Sequence, residues 1–402
     1  MHNTNFGQNE IMMHPKLFIA FVPFMITTVA SSQTAVRGAI QNTGNQTAVS
    51  SANISQSNSN LKIDSLFSKY NTNTPGVALA VVKNGRIVFE KGYGMANLEN
   101  NVPVTSQSVF HIASVSKQFT AFVIYLLENE GKISFEDDVR KYFPELPDYG
   151  TPIKIKHLLA HTSGLRDQWA ILTLAGWRMD DNITTEQILK LVIRQKNTNF
   201  KPGTEFSYSN TGYTLLGELV HQITGKTLAK YAAEKIFTPL GMTKTQFNMD
   251  NRKIVKGRVY SYEINDGEYI NKGLNYSNIG ATGLLTTVED LSKWALNFEN
   301  PIVGTRKLIE RFNEPSYLDD GKKIVSNIIE GDTLFHAKGQ LLRNYRGVNM
   351  IKHGINGYSE PIGFITKLRI DTFTVETDPN RFGKYKPRYG KSISLSVLQL
   401  CT

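Results

Sequence analysis

The sequence predicts a mixed α/β fold: an antiparallel sheet flanked by helices, with a helical subdomain. Three observations lead there. An apolar run, Asn84-Gly85 and a second apolar run form a hairpin signature in "GVALAVVKNGRIVFEKGYGMAN". Segments with helical period fill residues 136–300, among them "ITTEQILKLVIRQ", "YTLLGELVHQITG", "TLAKYAAEKIF" and "TVEDLSKWALNF". Strand-like runs then return in "VNMIKHG", "IGFIT", "DTFTVET" and "SISLSVLQL". Strands first and last, with helices between, imply one sheet built from both ends of the chain and a helical insertion.

The ends read differently from the middle. "MMHPKLFIAFVPFMITTVASSQ" has Lys16, an apolar run from Leu17 to Ala30, and then small residues. That is the layout of a secretory signal peptide, expected over residues 1–32. The run is short of the roughly 20 apolar residues that a spanning helix needs. Residues 33–60 are rich in Ser, Asn, Gln and Thr and poor in large apolar side chains. Such a segment does not offset its ordering entropy by burial, so it reads as a flexible linker, and the folded domain is expected over 61–402. Cys401 is the single cysteine, which excludes an internal disulfide. Export without disulfides suits the bacterial envelope, periplasmic or secreted, with no stable membrane span after signal cleavage. The net charge of +10 is scattered and lacks aromatic interleaving, so no nucleic-acid partner is expected.

Along the first helical segment Val115, Phe119, Phe122, Val123, Leu126 and Leu127 recur at helix spacing, and Gly131 supplies the stop. Ser114 and Lys117 lie off that stripe, one turn apart. A Ser-x-x-Lys pair arises about twice by chance in a chain this long, so it needs support. Its chemistry is that of nucleophile and base. A serine at a helix N-terminus sits at the positive end of the dipole, near N–H groups able to bind an oxyanion. A lysine one turn on accepts its proton if burial lowers the ammonium pKa.

The support comes from "HLLAHTSGL" (157–165), "KPGTEFSYSNTGYTLLG" (201–217), "GYGMAN" and "GATGLLTTVEDLSKW" (280–294). These segments resemble the serine β-lactamase and D-Ala-D-Ala peptidase superfamily, chiefly its class C β-lactamase branch, from about Ile63 to Tyr358. The resemblance implies that Ser114 and Lys117 are the family's Ser-x-x-Lys. It implies that Tyr208 and Asn210 in "FSYSNTG" are its Tyr-x-Asn, and that His353-Gly354 in "IKHGING" is its third, substrate-lining strand. Tyr208 beside an ammonium is expected to titrate low enough to relay a proton. Asn210 is expected to bind a substrate amide, and as a residue it also suits a helix N-cap. N–H groups near Ile355 and Asn356 would share the oxyanion with that of Ser114. The sequence departs from the family after Gly354: Ile355 stands where a glycine is usual, and Gly357-Tyr358 comes about two residues early. The tail shows strands without the family's closing helix, so an altered or truncated end is expected.

Other chemistries fit less well. His157 and His161 stand four apart, but Leu158 occupies the place where a zinc protease needs glutamate, so both are read as shaping the loop at Ser163-Gly164. There is no Gly-x-Ser-x-Gly elbow. The expectation is an exported, monomeric serine acyl-hydrolase without metal or organic cofactor. Its substrates would be β-lactams or D-Ala-D-Ala-type peptidoglycan stem peptides. The rivals are an esterase or D-amino-acid peptidase of the same fold, and a non-catalytic penicillin- or peptidoglycan-binding module.

Overall fold

The computed structural model describes residues 61–178, 180–329, 332–345, 348–352, 364–365 and 394–400. The expected signal peptide and linker, His353 to Asn356 and the run at 371–377 lie outside the described residues. No helix among the described residues is long and apolar enough to cross a membrane.

Strand β1 (Val77–Lys83) turns into β2 (Arg86–Tyr93) through Asn84 and Gly85, at φ 52° and 72°. Positive φ at both central residues defines the tight hairpin turn that Asn-Gly favours. Strand β3 (Met95–Asn97) pairs with β4 (Val102–Pro103), and β5 (Phe110–His111) leads into a 3₁₀ turn over Ala113–Val115. That turn feeds α1 (Ser116–Asn129), which stops at Glu130 before Gly131, φ 69°. Five helices follow: α2 (Ile155–Leu159), α3 (Gln168–Leu174), α4 (Thr185–Ile193), α5 (Asn210–Thr224) and α6 (Leu228–Ala232), the last continued by a π-helical turn over Ala233–Phe237. Short strands not foreseen from periodicity come next: β6 (Gln246–Phe247), the hairpin β7 (Tyr262–Asn265) and β8 (Glu268–Asn271), and β9 (Leu284–Thr286), which bridges β5 and β6. Helices α7 (Val288–Glu299) and α8 (Arg306–Phe312) precede an antiparallel meander of β10 (Val325–Ile329), β11 (Asp332–Ala337), β12 (Gln340–Tyr345) and β13 (Val348–Lys352). Strands β14 (Phe364–Ile365) and β15 (Ser394–Leu400) complete the order.

Both ends of the chain meet in one sheet, ordered β14-β15-β1-β2. Its β1–β2 pair is antiparallel, but β15 runs parallel to β1 and to β14, so the expected antiparallel sheet is a mixed one. The meander β10–β13 forms its own sheet.

Helix α1 is the axis of the helical region. Its apolar stripe packs Phe119 and Phe122 on Trp294 of α7, at ring distances of 4.6 and 5.0 Å, with Phe312 of α8 5.2 Å from Phe122. Its other faces are covered as well, for Ser116, Lys117, Gln118 and Thr120 are all buried. From Ser116 to Tyr125 the helix is enclosed on every side, as a core helix is and an amphipathic surface one is not. This enclosure is what takes Lys117 out of water.

Candidate active site

Ser114 lies in the 3₁₀ turn just ahead of α1, and Lys117 is the second residue of α1. The residue before the serine, Ala113, has φ 42°, a left-handed conformation that side chains disfavour and that costs of order 1 kcal/mol or more. The chain therefore enters the helix through a kink at the position that aims Ser114. The segment 278–287 holds the start of α1 from the other side. Leu284 N donates to Ser116 Oγ at 3.1 Å and Thr120 Oγ1 donates to Gly280 O at 2.8 Å. Gly280, at φ 103°, leaves no room for a side chain, since a Cβ there would stand 2.3 Å from the Tyr213 carbonyl oxygen.

Lys117 Nζ is the hub of the site. It lies 3.1 Å from Ser114 Oγ, 2.8 Å from Asn210 Oδ1 and 2.7 Å from Ala281 O. The rings of Tyr208 and Tyr213 flank it at 4.9 and 5.6 Å. Burial pushes its ammonium down from the ordinary lysine value of 10.5 to about 7, with the Asp167 carboxylate acting the other way. At that value a large fraction of Lys117 is a neutral amine near pH 7, able to take a proton from Ser114.

Tyr208 donates its hydroxyl to Ser114 Oγ at 3.0 Å, so it too reaches the serine hydroxyl. Its titration runs opposite to expectation. Crowding of protein around the hydroxyl raises its pKa, with the hydrogen bond to Ser114 working against that. The residue is 40% exposed, so solvent discounts the size of the effect and leaves its direction. Lys117, not Tyr208, is thus the group moved toward its basic form; the phenol stays protonated as a donor. The Tyr208 ring is placed by His161, which stacks on it at 4.3 Å and whose Nδ1 lies 3.1 Å from the Ser209 N–H.

Asn210 is the first residue of α5, with Ser209 in the capping position, so the N-cap expected of Asn210 is not its role. Its own backbone N–H is an orphan of the helix start, and Asp167 accepts it. His157 uses Nδ1 to accept from Lys154 N at 3.2 Å, while Nε2 faces Asp319 at 3.2 Å. Sequence reasoning missed two groups. Asp167 precedes the helical run "QWAIL" and caps α3, a local signal that was readable. The Ala281 carbonyl is backbone, and only the glycines of "GATGL" hint at its special path. His353 and Gly354 lie outside the described residues, so the structure brings together Ser114, Lys117, Tyr208 and Asn210 of the six expected.

A model of the family described as Beta-lactamase matches residues 63–324. Protein flp of Staphylococcus aureus is 29% identical over 276 residues, 67% of this chain and 53% of that protein. A D-aminopeptidase of Brucella canis is 31% identical over 251 residues, 61% of this chain and 47% of that protein. The chain thus spans about half the length of the curated relatives it matches. Among solved structures, an octameric penicillin-binding protein homologue from Pyrococcus abyssi superposes with a TM-score of 0.63 at 26% identity, covering 75% of this chain and 67% of that one. A D-amino acid amidase from Ochrobactrum anthropi SV3, complexed with D-phenylalanine, gives 0.56 at 25% identity, covering 70% and 79%. With most of its described residues inside the family match, and with the fold that these penicillin-binding and amidase structures share, the chain belongs to the Beta-lactamase family.

Proposed function

We propose that this chain is an exported serine acyl-hydrolase that forms an acyl-enzyme on Ser114 with β-lactams or D-Ala-D-Ala-type cell-wall peptides. One observation carries the reading: a buried lysine amine, held near neutrality, lies 3.1 Å from the Ser114 hydroxyl. Ser114 Oγ attacks the carbonyl carbon as its proton passes to Lys117 Nζ. Negative charge developing on the carbonyl oxygen meets the N–H groups at the start of the helix. The C–N bond then breaks, and the leaving nitrogen takes up the proton that Lys117 Nζ accepted from Ser114, with the Tyr208 hydroxyl beside it as a hydrogen-bond donor. Water attacks the ester in the second half and frees Ser114. Export is supported by Lys16 and the apolar run 17–30.

A second reading, cleavage of D-amino-acid amides or peptides, is favoured by the similarity to a D-aminopeptidase and to a D-amino acid amidase. Intact-protein mass spectrometry separates the readings, with a penicillin and a D-amino-acid anilide each mixed with the full chain and with Ser114→Ala. An adduct that forms and decays with product release is the lactamase result. A lasting penicillin adduct is the peptidase-like result, and anilide turnover without a penicillin adduct is the amidase result. All three must vanish in Ser114→Ala. No adduct and no turnover in the parent chain would overturn the hydrolase and leave a binding module.

A further inference from the structure

Asp167 stands outside the three sequence motifs, yet both of its oxygens are engaged at the site. Oδ1 accepts from Trp169 N at 2.9 Å and from Ala170 N at 3.4 Å, as the cap of α3. Oδ2 accepts twice from Asn210, from its backbone N at 2.6 Å and from Nδ2 at 2.8 Å. An oxygen that already takes the Asn210 backbone N–H is an acceptor. Only the amino end of the Asn210 carboxamide can therefore face it, and Oδ1 is turned toward Lys117.

We propose that Asp167 is a positioning residue: by fixing which end of the Asn210 carboxamide meets Lys117, it aims the lone pair of the Lys117 amine at Ser114. The inference rests on the acyl-enzyme reading of Ser114. Of the three groups around Nζ, the Asn210 Oδ1 and the Ala281 carbonyl only accept. A neutral amine has two N–H donors and one lone pair. With both donors committed to those oxygens, the lone pair is left for the Ser114 hydroxyl. A reversed carboxamide would present Nδ2–H to Lys117 and compete for that lone pair.

Among the described residues, no other charge around Lys117 does this work. Tyr208 and Tyr213 flank it, and both phenols are shifted toward their neutral form, Tyr213 by full burial and Tyr208 by the protein packed about its hydroxyl. His161 stacks on both tyrosine rings. Lys338, on the β11–β12 turn packed against the Lys117 backbone, sends its ammonium away to the Glu314 carbonyl at 2.8 Å. Asp167 is the carboxylate that acts on the Lys117 charge.

The test compares Asp167→Ser and Asp167→Asn with the parent full chain. Serine can still cap α3 but offers no carboxylate, so it keeps the structural role and removes the other. In the free protein, NMR follows the Asn210 side-chain amide and the titration of ¹³C-labelled Lys117, assigned by its loss in Lys117→Met. Mass spectrometry follows Ser114 acylation by a penicillin and by a D-amino-acid anilide. The expected result is an upfield move of the Asn210 amide protons, a Lys117 midpoint at lower pH, and acylation slowed by up to about 100-fold. Acylation at the parent rate in both variants overturns the proposal, as does an Asn210 amide and a Lys117 midpoint that both stay put. A parent chain that reacts with neither probe counts against the hydrolase reading instead, and the two NMR signals then decide the positioning role alone.

Discussion

Lys117→Met isolates the free-energy consequence of enclosing an amine in α1. The unfolded chain keeps its lysine proton up to about the ordinary value of 10.5, whereas the folded site releases it near 7. Between those values the unfolded state binds more protons, so native stability rises with pH. Above 10.5 the site carries no penalty; as pH falls the penalty grows, and below about 7 it is present in full. At about 1.4 kcal/mol per pH unit, the full penalty is on the order of 4–5 kcal/mol. Methionine fills similar space and does not titrate. It also strands the acceptors Asn210 Oδ1 and Ala281 O, but that loss does not depend on pH. The stability of the parent relative to the variant should therefore climb by roughly 2–3 kcal/mol between about pH 7 and pH 9. Urea denaturation of both proteins across that range, followed by circular dichroism, measures the difference while the other titrating groups cancel. A flat difference would show that Lys117 keeps its proton in the fold, and the base assigned to Ser114 would fall with it.

Two further substitutions test other parts of the site. Tyr208→Phe keeps the ring on His161 and removes the hydroxyl 3.0 Å from Ser114 Oγ. Ser114 acylation should drop by about 10²–10³-fold while the melting temperature barely moves, and a rate near the parent's would leave the Tyr208 hydroxyl no part in the acylation. Gly339→Ala would place a Cβ 2.8 Å from the Lys117 carbonyl carbon at a φ of 75°. It should cost about 1–3 kcal/mol and slow acylation by displacing the first turn of α1, and an unchanged thermal melt would refute that close contact.

Local signals carried the chain a long way. Asn84-Gly85 announced the hairpin, Gly131 the end of α1, and the i,i+3 spacing the meeting of Ser114 with Lys117. Tyr208 and Asn210 were legible only through resemblance, because nothing within "FSYSNTG" reveals what it faces across the fold. Asp167 shows why. Its capping oxygen serves the residues next to it, but the other oxygen serves Asn210, 43 positions away, and such a contact leaves no periodic trace. The direction of the Tyr208 titration was misjudged for a related reason. Periodicity marked one apolar stripe on α1, whereas the fold covers every face, so the lysine yields its charge and the phenol keeps its proton. The parallel approach of β15 was equally hidden, since strand composition fixes a pleat and not a direction.

The pairing of β1 with β15 sets a timetable for the nascent chain. Val77 pairs with Ser394, more than 300 positions later, and β1 is apolar and buried from Val77 to Val82. At ribosomal rates of about 5–20 residues per second, roughly 15–60 s pass between the emergence of the two strands. Throughout that interval one edge of β1 presents open N–H and C=O groups on an apolar strand, a surface prone to wrong pairing. A contact of such long range also closes slowly once both strands have emerged. Folding of this sheet is therefore a late event, and until β15 has emerged the hairpin at residues 77–93 is a segment that a holding chaperone would protect.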